Sequence, residues 1–300
     1  MSKKQVKLFP PLRGVYVDLS KVPDPVFAEK MVGDGFAIDP LENVLYSPID
    51  GKIKSIHRAK HAITLESESG FDILIHIGLE TVSLGGKGFD VKVKEGQLVK
   101  VGDKLTEFDM DYIAGNVVAL ITPVLVTDME EKQISIDILP HGVVTDLNQA
   151  IMLVTLGGEK AAQLADTSVA PVVASLESEL ITIPNTHGIH ARPAAQLNAI
   201  ARKYPNNEIL MLKGEQSANV KSVVSLLSLS VQYQDQIKIL VKGDNATAII
   251  DEIKNSLIAM HDDANETPTP AAKALTNVES KVENGKYHGV VGSTGLAVAK

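Results

Sequence analysis

The sequence predicts a multidomain chain. An all-β antiparallel sandwich or barrel is expected over residues 1–157, followed by a small α+β open-faced sandwich over residues 180–263. Three observations carry this reading. The chain has 300 residues, which is more than one typical domain. Up to residue 157, short β-branched and apolar runs alternate with glycine turns, the pattern of closely spaced strands. From residue 180 the pattern changes to strands separated by segments whose apolar residues recur at helical spacing.

Composition bounds the function. Hydrophobic residues make up 44% and charged residues 22%, values of an ordinary globular chain. There is no Trp and aromatics are 4%, so the cores must rest on Val, Ile, Leu and Ala. The absence of cysteine excludes disulfides, thiol nucleophiles and cysteine-based zinc sites, and fits a reducing compartment. No apolar run approaches the ~18 residues of a membrane span. The opening MSKKQVKLFPPLRG lacks the apolar core of a secretory signal, so a cytoplasmic location is expected. Net charge is −8, with 16 Lys+Arg against 22 Asp+Glu in residues 1–157 and 8 of each in 180–263. Neither half has the basic patch that nucleic acid requires, so no nucleic-acid partner is expected. An acidic module beside a neutral one invites docking of the two within one chain.

The elements follow in order. NVLYSPIDGKIKSI, HAITLES, FDILIHIG and GFDVKVKEGQLVKVGDKL read as strands, and ILPHGVVTDLNQAIMLVTL as the tail of the same unit. Residues 158–179 are small, rich in Ala, Ser and Val, and read as a linker with a helical turn at EKAAQLA. In the second unit LITIP, EILMLKG and IKILVKG read as strands. ARPAAQLNAIARKY, SVVSLLSLSV and ATAIIDEIKNSLIAM read as helices. Residues 264–285, with the prolines of ETPTP, form a second linker. The last stretch, 286–300, restarts a β-like pattern without a partner strand, so it is expected to open an incomplete domain of a longer parent chain.

The stretch THGIHARPAA, residues 186–195, concentrates chemistry. Pro193 suits the first turn of a helix, where N–H groups lack partners. That places His190 at the helix N-terminus, where free amides and the dipole favour an anion. Arg192 adds a fixed positive charge with phosphate-matching geometry. A histidine there is suited to be a neutral nucleophile that accepts a dianionic phosphoryl group. Gly188 permits a tight turn before it. A surface helix-capping histidine is the competing reading, and His187 with His190 as a metal pair lacks an evident third ligand.

FDILIHIG alternates. Phe71, Ile73, Ile75 and Ile77 point one way, and Asp72, Leu74 and His76 the other. HAITLES places His61, Ile63 and Leu65 on one face of a neighbouring strand. If the strands pair, His61 and His76 can lie side by side. Two imidazoles there are compatible with a nucleophile and its hydrogen-bond partner, with half of a zinc site, or with two unrelated half-buried histidines.

GIHARPAAQL resembles the active-site signature of HPr, the histidine phosphocarrier of the bacterial phosphoenolpyruvate:sugar phosphotransferase system, and the likeness extends over 180–263, including VKSVVSLLSL. By that resemblance His190 is the phosphorylated residue, Arg192 its phosphate partner, and Ser222 matches a position that some bacteria phosphorylate for regulation. A plain helix-start serine is the alternative for Ser222. VPDPVFAEKMVGDGFAIDP, SPIDGKI, HAITLESESGFDILIHIGLETVSLGGKGF, VKVGDKL and TPVLVTD resemble glucose-type enzyme IIA over about residues 10–155. The resemblance implies that His76 is the phosphorylated histidine, that His61 stabilises its phosphoryl group, and that Phe27 lies on the docking face, a core phenylalanine being the alternative. Family members usually carry Thr two residues before the supporting histidine, where this chain has Ala59.

GVVGSTGLAVAK resembles the opening of enzyme I, so the parent resembles a multiphosphoryl transfer protein. The resemblance implies a relay from phosphoenolpyruvate through enzyme I to His190, then His76, then the IIB domain of a IIB/IIC membrane transporter for glucose or N-acetylglucosamine. No cofactor is expected in this fragment, with magnesium belonging to an enzyme I domain. Two alternatives come from other classes: a zinc hydrolase using His61 and His76 with Glu80 nearby, and a purely regulatory phosphoprotein.

Overall fold

The structure, a computed structural model, describes residues 4–139, 142–157, 175–259, 282–283 and 286–287. The chain divides into two compact units, Met1–His261 and Asp262–Lys300. In the second unit Val282–Glu283 pairs antiparallel with Lys286–Tyr287. The remainder of the expected second linker and of the expected incomplete domain lies outside the described residues.

The first unit holds two lobes. In the first lobe one sheet has eight strands, in the order Val143–Val144, Gly14–Asp18, Asp34–Pro40, Thr122–Val126, Asp72–His76, Ala62–Ser67, Gly51–Ile56 and Leu98–Val99. Every neighbour is antiparallel. Two three-stranded sheets complete the lobe. One is Lys4–Leu8, Met152–Leu156 and Ile134–Ile138; the other is Val44–Tyr46, Lys104–Phe108 and Phe89–Val91. Leu8 and Val154, Leu45 and Leu105, and Phe36 and Ile73 bring the three sheets into one buried core, the arrangement expected of an all-β sandwich or barrel. Helix α1 (Pro25–Ala28) is started by Asp24, whose carboxylate accepts from the Val26 amide, with Pro25 at its first position. Helix α2 (Met110–Ala114) is capped in the same way by Asp109.

Strand Asp72–His76 is buried along its whole length, on both faces. Phe71, Ile73, Ile75 and Ile77 enter the barrel core, as the alternation predicts. The opposite face is buried because Leu74 and the neighbouring Ala62 belong to an apolar cluster that continues into the second lobe.

In the second lobe Gln236–Lys242 pairs on one side with Glu208–Lys213, which pairs in turn with Gln216–Asn219. On its other side it takes both Ser175–Glu177 and Ile181–Thr182. Helices α3 (Ala191–Arg202), α4 (Val223–Ser228) and α5 (Ala246–Ala259) bury Ala194, Leu197, Leu226, Ile249 and Ile253 against Ile209, Met211, Ile237 and Ile239. The alternate sheet positions Leu210, Leu212, Lys238 and Leu240 are only half-buried, so the other face of the sheet stays open. Three details differ from expectation. Ser175–Glu177, expected in the linker, is a strand held by Leu240–Lys242, while residues 158–174 with the EKAAQLA turn lie outside the described residues. The strand in LITIP reaches only Ile181–Thr182, since Pro184 has no N–H for a ladder. Helix α4 stops at Ser228 because Ser230, at φ 49°, turns the backbone into the left-handed region.

Candidate functional site

His76 ends a central strand of the large sheet. The chain then turns at Gly78, whose φ of 69° and whose closeness to Thr81 (a Cβ would stand 2.7 Å from Cγ2) favour glycine. The turn brings the Gly78 carbonyl within 2.8 Å of His76 Nδ1. A carbonyl can only accept, so Nδ1 carries the ring proton and Nε2 keeps its lone pair. The Phe27 ring of α1 packs on the His76 ring at 5.2 Å between centroids. Phe27 is itself 2% exposed, within the apolar cluster shared by the two lobes.

His61 reaches His76 by a route that alternation does not predict. The ladder sets Ala62, not His61, opposite His76. Ile63 and Leu65 face the barrel core, and His61 lies just before the strand, after Lys60 at φ 59°. Its carbonyl still accepts from the Ile77 amide at 2.7 Å, and its ring packs edge-on to His76, 4.6 Å between centroids and 66° between planes. On its other side stands His57, at 4.5 Å and 57°. His61 is buried, and its Nδ1 has no hydrogen-bond partner. Ala59 offers only a methyl group where the resemblance implies a hydroxyl; its amide donates to His57 Nδ1 at 3.2 Å.

His190 sits at the N-cap of α3 and makes no side-chain cap bond. Its carbonyl accepts from the Ala194 amide, starting the helix. Gly188 is needed two residues earlier: its φ is 64°, and a Cβ there would stand 2.2 Å from the Val231 carbonyl oxygen. The Arg192 guanidinium points across to the first lobe, where Nη2 lies 2.6 Å from Glu80 Oε1 and 3.6 Å from Asp24 Oδ2.

These contacts lie on a docked face. Val26, Phe27, Leu74 and Leu79 of the first lobe share one buried cluster with Ile189, Ala191 and the core of the second. Around it, Arg58 donates to Gln232, Arg202 pairs with Glu130, and Ser222 Oγ donates to Asp128 Oδ2 at 2.8 Å. His76 and His190 line one small cavity of about 20 Å³ together with Asp24, Phe27, Glu80 and Arg192. That is room for about one water.

The electrostatics keep the rings neutral. Burial pushes His190 down to about 3, helped by the nearby Arg192 cation and then by His57, His76 and His187. Burial also lowers His76, opposed by the Gly78 carbonyl and the Asp24 carboxylate. His61 is pushed well below the usual imidazole range by burial and by its neighbours His76, His57 and His190. His57 goes to about 4, by burial and then by His76. Neutral imidazoles with a free nitrogen are nucleophiles; imidazolium ions are not.

The structure thus brings together His190, His76, His61, Arg192 and Phe27. Ser222 stands apart as the N-cap of α4, accepting from the Ser225 amide while it bonds Asp128. Sequence reading missed three residues. His57 carried a signal, the four-residue spacing of HRAKH, but no reason to separate it from a turn. Asp24 and the role of Glu80 toward Arg192 carried none, because their partner is far along the chain. Among the described residues no group of three His, Cys, Asp or Glu has the geometry to hold a metal ion, so the zinc-hydrolase alternative finds no ligand set. No helix among them is long and apolar enough to cross a membrane.

Two neutral imidazoles from different lobes thus meet at one small, half-open gap beside a cation. Residues 6–132 match the family of EIIA 1 components of the phosphoenolpyruvate-dependent sugar phosphotransferase system, and residues 177–258 match the HPr component phosphorylation site. The glucose-specific EIIA component of Staphylococcus aureus is 40% identical over 154 residues, which cover 51% of this chain and 92% of that protein. That of Staphylococcus epidermidis is 45% identical over 130 residues, 43% of this chain and 78% of that protein. Among solved structures, glucose permease IIA from Mycoplasma capricolum is 37% identical and covers 50% of this chain and 96% of its own, at a TM-score of 0.47. A mycoplasma histidine-containing phosphocarrier protein is 28% identical and covers 28% of this chain and 92% of its own, at 0.26. The chain belongs to the phosphoenolpyruvate-dependent sugar phosphotransferase system, as a glucose-type EIIA domain joined to an HPr domain. It is a phosphocarrier in the relay that leads to a sugar transporter.

Proposed function

We propose that this chain carries two successive phosphohistidines, His190 and then His76, with the docked lobes as the transfer state. The observation that supports the reading is the shared cavity: both rings line one gap of about 20 Å³. In the step, His76 Nε2 attacks the phosphorus as the bond to the His190 ring breaks, and the lone pair returns to His190. The N–H on His76 Nδ1 stays with the Gly78 carbonyl, so no proton need cross the interface. Catalysis is positioning and charge stabilisation. The N-terminus of α3 and Arg192 steady the departing side. His61, whose buried Nδ1 lacks a partner, gains one in the arriving phosphoryl group. The small gap has room for about one water, which limits the competing acceptor. Phe27 seats the His76 ring within the docked face.

Enzyme I is the donor in this reading, and the IIB domain of a IIB/IIC membrane sugar transporter, of the glucose or N-acetylglucosamine kind, is the acceptor. The relay needs no cofactor in this chain and runs in the cytoplasm. Ser222 is a candidate regulatory position because it bonds across the same docked face.

The test is phosphorylation by phosphoenolpyruvate and purified enzyme I, read by intact mass. The unaltered chain gains two phosphoryl groups, His76→Ala gains one, and His190→Ala gains none. Full labelling of His190→Ala would overturn the reading.

A further inference from the structure

We infer that His57 is a positioning residue of the phosphoryl-acceptor site: it holds the His61 imidazole edge-on against His76 before the phosphoryl group arrives. The inference deepens the relay reading and rests on it.

The geometry sets three imidazoles in a row. His61 stands in the middle, 4.5 Å from His57 and 4.6 Å from His76. His61 Nδ1 has no hydrogen-bond partner, so on that side no bond fixes the rotation of the ring. What holds the ring is a hydrogen bond to the Ala59 backbone, in the same turn as His57, and the two rings that flank it. His76 is the group being phosphorylated, which leaves His57 as the fixed flank.

His57 is itself held firmly. Its amide donates to the Ala62 carbonyl at 2.9 Å and its carbonyl accepts from the Lys60 amide at 2.6 Å. Its Nδ1 accepts from the Ala59 amide at 3.2 Å. These bonds lock one tight turn between strands Gly51–Ile56 and Ala62–Ser67. Accepting at Nδ1 leaves the proton on Nε2, so the ring is neutral and does not compete with His61 for the phosphoryl dianion. Burial favours the same neutral form. The far side of His57 opens on a cleft of about 450 Å³ between the lobes, bounded by Arg58, Thr186, His187 and Tyr233. Removing the ring would therefore leave His61 beside open space rather than beside a wall.

The test uses the whole chain, enzyme I and phosphoenolpyruvate, with variants His57→Ala and His57→Phe. Transfer from His190 to His76 is followed by rapid quench, and the His61 ring nitrogens by ¹⁵N NMR. His57→Ala is expected to slow transfer at least ~10-fold, since small misplacements of supporting groups cost that much or more. It should also broaden or average the His61 ring signals. His57→Phe restores a flat wall and should transfer within about threefold of the unaltered chain. Labelling of His190 should be equal in all three, which shows that the second lobe is intact. Transfer at the unaltered rate in His57→Ala overturns the inference, and so does His57→Phe as slow as His57→Ala. If His76→Ala still takes a second phosphoryl group, the relay reading fails instead, so the two failures are distinguishable.

Discussion

Replacing Glu80 by Gln removes one charge from the docked face and leaves its shape. The Glu80 carboxylate lies 2.6 Å from Arg192 Nη2, and the two side chains are 44% and 28% exposed. In bulk water two unit charges at ~3 Å attract by a little over 1 kcal/mol, and a lower local dielectric raises that severalfold. The exposure argues for the low end, because solvent screens such pairs to about 0.2–1 kcal/mol. Asp24, 3.6 Å from the same nitrogen, retains part of the attraction. A net loss of about 0.5 kcal/mol is therefore expected, which is about twofold in the docking constant. The tether supplies an effective concentration near ~1 mM, so docking is weakened rather than abolished. Single-turnover transfer from His190 to His76 should slow about twofold when docking is not saturated. The salt dependence between ~0.05 and ~0.5 M should also become shallower, since one screened pair is gone. An unchanged rate together with an unchanged salt slope would refute the argument that this ion pair holds the transfer state.

Acidification should loosen the docked fold. The pKa values of His190 and His57 lie at about 3 and about 4, below the 6.5 of a free imidazole, so the released chain binds protons that the docked chain refuses. Stability is full above pH ~6.5 and falls as pH drops toward the folded values, by roughly 2 kcal/mol per ring at pH 5. Thermal melts from pH 7.5 to 5 should show the fall, and His190→Ala should flatten it; an equal slope in both would count against burial as the cause. Gly188→Ala forces a Cβ to 2.2 Å from the Val231 carbonyl oxygen at a φ of 64°, and should cost roughly 2–4 kcal/mol in the second lobe. Denaturant unfolding with a loss under ~1 kcal/mol would contradict it. Ser222→Asp keeps an N-cap for α4 but sets a carboxylate against Asp128, already raised by burial, and should slow transfer while enzyme I labels His190 as before. Equal transfer rates would mean that this corner contributes nothing to docking.

Much of the fold is legible in the chain because local signals agree with it. The glycine-punctuated runs around FDILIHIG and HAITLES become adjacent strands, and ARPAAQLNAIAR becomes α3 with His190 at its mouth. These follow from period, caps and turn residues, all of which act within a few positions. His57 stayed hidden because its importance comes from packing against His61, and no local rule separates a packed turn histidine from an exposed one. The alternation of HAITLES also misplaces His61. It lies one residue before the strand begins, bonded to Ile77 through its carbonyl only, directly after the left-handed backbone of Lys60.

The sequence by itself determined the two kinds of lobe, the helix-mouth histidine and the acidic-to-neutral contrast between lobes, and left the pairing of His61 with His76 open. Only the tertiary structure decided that strand Asp72–His76 is covered on both faces, that Arg192 reaches Glu80 and Asp24, and that His76 and His190 share one gap. The reason is range. Secondary structure is written in spacings of two to four residues, whereas the site is made by side chains more than a hundred positions apart, whose meeting depends on how two finished surfaces fit.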